Sequence, residues 1–189
     1  MRVTLRREDA GVIIAPESPT AADVRALLDE HLADMHATSP AESVHALDLS
    51  GLLAPSVTFL TARDDGTLLG CGALSELEPT TSTSAGRGEL KSMRTARPAR
   101  GRGVASAVLD RLVALARERG YAAVSLETGP QEYFAPARRL YARHGFVPCG
   151  PFGSYSPDPC SVFFTLDLTG AAGQVGRVGT AGTAVGPAA

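Results

Sequence analysis

The most constraining stretch of this chain is Arg100-Gly101-Arg102-Gly103-Val104-Ala105, because of what flanks it. Upstream, residues 89–95 read as a strand. Downstream, residues 104–119 carry Val104, Val108, Leu112, Leu115 and Ala116 at helical spacing and stop at Gly120. A glycine-rich turn between a strand and a helix lets the backbone come close to a ligand. The first amides of the helix have no internal partner, and with the helix dipole they make a site for an anion such as phosphate. Lys91, Arg94, Arg97, Arg100 and Arg102 bring five basic residues against the single acid Glu89, which strengthens the charge match. A P-loop would need Gly-Lys-Ser/Thr at the helix start, and a dinucleotide fold would need G-x-G-x-x-G; neither is present.

The rest of the chain gives this turn an α/β setting. Residues 10–15 hold a Val-Ile-Ile strand core. Thr20 is placed as an N-cap, with Asp23 three residues on, before a helix whose apolar face carries Val24, Leu27, Leu28, Leu32 and Met35. A second helix is expected over 41–53, and strands over 57–62 and 68–77 pair around Asp64-Asp65-Gly66-Thr67. A polar loop at 79–87 leads into the strand–turn–helix, then a strand at 122–128, a helix at 131–144 and two late strands flanking Pro157-Asp158-Pro159. That order predicts an α/β fold with a mixed sheet. Residues 170–189 contain six Gly and six Ala and no Leu, Ile or aromatic side chain. Such a segment cannot bury enough surface to offset its ordering entropy, so one domain over 1–168 and a disordered tail over 169–189 are expected.

Charge and cysteine content narrow the function. A net charge of −2 gives no global basic field for nucleic acid, and aromatics do not interleave the basic stretch. The longest uncharged apolar-leaning stretch, 49–62, is too short to span a bilayer and contains Pro55. Cys71, Cys149 and Cys160 have neither metal-ligand nor CxxC spacing, as suits a reduced, cytoplasmic protein. Of the 18 basic residues 17 are Arg and only Lys91 is Lys, a bias assigned to the codon usage of the source genome.

With the residues laid out, Arg100-x-x-Gly103-x-Ala105 resembles the acetyl-CoA signature R/Q-x-x-G-x-G/A of the GCN5-related N-acetyltransferases (GNAT superfamily), in their small bacterial form. Four further segments fall in that family's order. Leu69-Gly70-Cys71-Gly72-Ala73-Leu74 resembles its third strand and Glu89-Leu90-Lys91-Ser92-Met93-Arg94-Thr95 its fourth. Leu126-Glu127-Thr128-Gly129 is similar to the end of its fifth, and Leu140-Tyr141-Ala142-Arg143-His144-Gly145-Phe146 to its L-Y-x-x-x-G-F segment. The resemblance implies the acyl-CoA N-acyltransferase fold: a mixed, mostly antiparallel sheet flanked by helices.

The same resemblance implies acetyl-CoA as acyl donor. The amides of Gly101, Arg102, Gly103, Val104 and Ala105 and the side chain of Arg100 would face its phosphates, with Arg97 as a further phosphate partner. Met93, Arg94 and Thr95 would lie along its pantetheine arm. An amine acceptor arrives as an ammonium, with a pKa near ~10.4, and needs a base. Glu89 on the adjoining strand is the candidate base, and Tyr141 matches the family tyrosine that protonates the departing thiolate. The family's Asn some seven residues before that tyrosine is replaced by Phe134. His36, Ser43 and His45 fall on the segment where the family builds its acceptor pocket; His31, among apolar positions, is read as structural, and Cys71 and Cys149 as core residues. The expected partners are acetyl-CoA and a small or amino-acid-like primary amine, with a monomer or homodimer. The alternatives are a protein N-terminus or lysine as acceptor, or a non-catalytic acyl-CoA-binding module on the same fold.

Overall fold

The computed structural model describes residues 3–4, 11–38, 40, 47–77 and 85–172. Eight strands form one sheet: β1 (Val3–Thr4), β2 (Ile13–Pro16), β3 (Val57–Asp64), β4 (Thr67–Leu77), β5 (Arg87–Thr95), β6 (Ala123–Thr128), β7 (Val147–Cys149) and β8 (Val162–Asp167), in the order β1-β2-β3-β4-β5-β6-β8-β7. All neighbours pair antiparallel except β5 and β6. The parallel pair is fed by the crossover helix α3 (Val104–Glu118). The element order predicts the mixed sheet, and its mostly antiparallel pairing is what the family resemblance implies.

Alternation along the strands sends two apolar sets to opposite faces. Leu60, Ala62, Leu74, Leu90, Val124 and Leu126 pack with α3 and with α4 (Ala135–Arg143). Phe59, Cys71 and Ala73 pack on the other face with Val24 and Leu27 of α1 (Ala22–Thr38) and Leu52 of α2 (Leu49–Leu52). The hairpin from β3 to β4 turns at Asp65 (φ 46°) and Gly66 (φ 77°), the paired positive dihedrals of a two-residue hairpin turn.

Four of the differences from expectation have a local physical reason. Thr20 does not cap α1: its hydroxyl lies 2.8 Å from that of Ser18, and the helix starts at Ala22. Asp23 instead binds Arg63, which also holds Glu17, so the acid serves a cross-strand cluster and not a cap. Only Leu49–Leu52 of the helix expected over 41–53 is helical among the described residues, capped by Asp48 Oδ1 accepting from the Gly51 amide at 2.8 Å; residues 41–46 lie outside them. The helix expected over 131–144 is a 3-10 turn, Glu132–Phe134, followed by α4, because Pro136 suits only the first helical turn. The chain also keeps a 3-10 turn at Thr169–Ala172, tied by the Thr169 amide and hydroxyl to Asp167 Oδ1. The expected tail beyond it, 173–189, lies outside the described residues.

Candidate active site

The site starts where β5 and β6 stop pairing. Their register runs only from Arg87↔Ala123 to Leu90↔Leu126, although β5 continues to Thr95 and β6 to Thr128. A bulge produces the divergence. Between Cys71↔Arg94 and Ala73↔Lys91, one residue of β4 faces two of β5. One of the two, Ser92, has φ 51°, a left-handed conformation that a non-glycine residue adopts at a cost of about 1 kcal/mol. Gly72 makes room for the other: a Cβ there would stand 2.4 Å from Met93 Sδ. The bulge therefore sends Met93 toward α3, while Glu89, Lys91 and Arg94 face α1.

A cleft of about 100 Å³ fills the gap, walled by Met93 and Ser92 of β5, Glu127 and Thr128 of β6, and Tyr141 of α4. Beside it lies a cavity of about 800 Å³, which takes Glu89 from β5, Ser75 and Leu77 from β4, and Tyr155 and Asp158 from the loop before β8. Lys91 and Cys160 line both.

At the end of β5 the chain passes through a 3-10 turn, Arg97–Ala99, into the glycine turn. Gly101 (φ 76°) and Gly103 (φ 81°) both occupy the left-handed region, and Gly103 is the N-cap of α3. A Cβ at either position would meet no atom within 4 Å. The turn thus leaves open space in front of the Val104, Ala105 and Ser106 amides, which lack intrahelical partners; a phosphate fits that geometry. Arg100 is exposed, Arg102 reaches Asp64 at 3.4 Å, and Val104 is buried in the core. Arg97, expected to face a phosphate, turns to α1 and pairs with Glu30 at 2.6 Å.

Arg94 does more than its strand position suggested. Its buried guanidinium binds Asp34 at 2.5 Å, Glu30 at 2.8 Å and the Tyr133 hydroxyl at 3.0 Å, and that hydroxyl donates to Asp34 at 2.7 Å. One side chain of β5 thereby ties α1 to the 3-10 turn beyond β6. Thr95 ends β5 in register with Gly70.

Glu89 is buried, and its Oε1 accepts from Tyr155 Oη at 2.6 Å and lies 2.9 Å from Lys91 Nζ. Tyr141 is buried with its ring centroid 5.8 Å from that of Phe146. Burial raises its phenol above the ordinary value, and the Glu127 charge adds to the effect, so it stays protonated at neutral pH. Cys71 is buried in the core, and desolvation pushes its thiol up to about 12.

His36 is exposed on the last turn of α1 and lines neither cavity. Ser43 and His45 lie outside the described residues. His31 lines the cleft. Desolvation, aided by the Arg94 charge, lowers its imidazole from 6.5 to about 4, so it is neutral at pH 7. Sequence reasoning gave Tyr155, Asp158 and Cys160 no place in the site; the local signal there was the Pro157-Asp158-Pro159 turn.

The comparisons agree with this architecture. Residues 24–146 match the model of the acetyltransferase (GNAT) family. YsnE of Bacillus subtilis (strain 168), described as an uncharacterized N-acetyltransferase, is 46% identical over 149 residues, 79% of this chain and 95% of that one. An IAA acetyltransferase of Azospirillum brasilense is 43% identical over 160 residues, 83% of this chain and 98% of that one. A GNAT family acetyltransferase from Elizabethkingia anophelis, solved with acetyl-CoA bound, has the same fold, with a TM-score of 0.56 at 17% identity over 83% of this chain and 98% of that one. A split sheet, a glycine turn capping the crossover helix and a family match across both lead to one assignment: the chain is a member of the GNAT family of acetyltransferases.

Proposed function

We propose that this N-acetyltransferase moves the acetyl group of acetyl-CoA to a primary amine of a small, amino-acid-like acceptor by direct attack, with Glu89 as base and Tyr141 as acid. The activated thioester comes with acetyl-CoA. The carrying observation is the pair of adjoining cavities. Glu89 lines the larger one, Tyr141 the smaller one, and Lys91 and Cys160 are common to both. An amine in the large cavity would meet a carboxylate, and a thiol leaving along the cleft would meet a protonated phenol. The glycine turn with the Val104 and Ala105 amides would hold the phosphates, Arg100 and Arg102 would add charge at its exposed edge, and the main chain of Met93, Arg94 and Thr95 would bond the pantetheine arm.

The acceptor assignment rests on the cavity's size, about 800 Å³, and its charge. Among the described lining residues Glu89 and Asp158 are acidic and Lys91 is basic, so an ammonium is electrostatically favoured over an anion. The test is thiol release from acetyl-CoA with a panel of amines. Glu89→Gln should lower kcat/KM at neutral pH by about 10²-fold, with partial recovery at higher pH as more free amine is present. Tyr141→Phe should lower kcat and leave acetyl-CoA affinity near wild type. Activity unchanged in both variants across the pH range would remove both assignments.

A further inference from the structure

The acceptor cavity contains a contact set that the proposed acid–base pair does not use. Tyr155 Oη donates to Glu89 Oε1 at 2.6 Å, while Lys91 Nζ stands 2.9 Å from the same oxygen and donates to Tyr155 Oη at 2.5 Å. The three groups close a triangle in which Lys91 and Tyr155 both meet Oε1. Among the described residues Oε2 has no hydrogen-bond partner. The Tyr155 ring is wedged against Phe152 and Phe163, with centroids 5.1 and 5.3 Å away, so its hydroxyl is held in place from behind.

Other groups near Glu89 do not take over this task. Its register partners on β4 and β6 are the neutral Ser75 and Ser125. Farther along β6 is Glu127, and the cavity's loop wall adds Asp158 and Cys160. Of these groups, Lys91 and Tyr155 are the two that contact the Glu89 carboxyl directly. It is also notable that this chain carries arginine at 17 of 18 basic positions and lysine only here. A compact ammonium fits against one carboxylate oxygen where a two-pronged guanidinium would cover both.

We propose that Tyr155 and Lys91 are positioning residues for Glu89: they hold it as a carboxylate through Oε1 and present Oε2 to the acceptor amine. This deepens the reading of Glu89 as the base and rests on it.

The test is the pH profile of kcat/KM in wild type, Tyr155→Phe, Lys91→Met and Lys91→Arg, with one good acceptor amine. A carbon-13 carboxyl NMR titration of Glu89 without substrates runs beside it, the resonance assigned by its loss in Glu89→Gln. Removing a donor disfavours the carboxylate, so the acid limb and the NMR midpoint should both move to higher pH. The expected shift is about half a unit to one unit in Tyr155→Phe and more in Lys91→Met. Lys91→Arg should restore most of the midpoint by restoring the charge. A clamp that merely shapes the loop would lower rates or Tm and leave the midpoint unmoved. If the midpoint stays at the wild-type value in both Tyr155→Phe and Lys91→Met while Glu89→Gln is impaired, the positioning role is overturned and the base survives. If Glu89→Gln keeps wild-type activity and its acid limb, the base assignment falls and the positioning role with it. Should Tyr155→Phe fail to fold, the Lys91 pair alone decides.

Discussion

The cleft and the cavity that adjoins it share Lys91 and Cys160, yet they are made of different material. The cleft is opened by backbone features, a bulge at Ser92 and a strand pair that stops at Leu90↔Leu126, and the turn beyond β5 adds two glycines at positive φ and the first amides of α3. Such features tolerate wide variation in side chains as long as the path of the chain is kept. The cavity is side-chain work, in which a carboxylate from β5, a hydroxyl from a loop 66 positions away and an ammonium between them must meet to a fraction of an ångström. Under the proposed function, the first kind of construction would serve the acetyl-CoA donor and the second the choice of acceptor.

The sharpest way to break that contrast is at the turn. Gly103→Val forces a β-branched residue into φ 81° and fills the open space before the α3 amides. Acetyl-CoA affinity by calorimetry should fall by about 100-fold, or ~2.7 kcal/mol, in a protein that still folds. Unchanged affinity would mean that backbone shape at the turn does not carry cofactor binding.

Gly72→Ala tests the bulge. The added Cβ would crowd the side chains of Met93, Val108 and Leu112, which must shift out of their packed positions. A loss of about 2 kcal/mol, seen as a Tm lower by about 4–8 °C, is the expected outcome. A wild-type Tm would show that the bulge is not keyed by this glycine.

The smallest effect comes from His31, the side chain that qualifies the backbone description of the cleft. Its imidazole stays neutral in the fold down to about pH 4, whereas in the unfolded chain it takes a proton near 6.5. The unfolded state therefore binds more protons between those values, and stability present above pH 6.5 is lost as pH falls toward 4. In urea unfolding over that range, wild type should lose about 1–2 kcal/mol more than His31→Gln. Parallel curves would place His31 in a more solvated setting.

The contrast also explains what could be seen in the sequence. The glycine turn, the strand leading into it and Leu140-Tyr141 with Gly145-Phe146 are local patterns, and each sits where its pattern says. The cleft was therefore legible down to Met93 and Tyr141. Tyr155 was not, because its meaning depends on Glu89, and only the fold of β5 against the loop before β8 joins the two. The side-chain partners of Arg94 were hidden for a similar reason: it stands among five basic residues near an anion turn, while Glu30 and Asp34 are 64 and 60 positions away on α1. His31 looked structural from its apolar neighbours. A cleft wall is also apolar, and helical periodicity alone cannot distinguish the two.

Lys91 carries the chain's single ε-amine, and its side chain is only 13% exposed behind the Tyr155 loop. Amine-selective reagents, which decorate most proteins at many points, would here have one side-chain target besides the α-amino group. Because Lys91 lines both the cleft and the cavity, their rate of attachment would report how readily a small molecule reaches the wall the two share. A chain with one lysine thus turns an ordinary labelling reagent into a gauge of access to that shared wall.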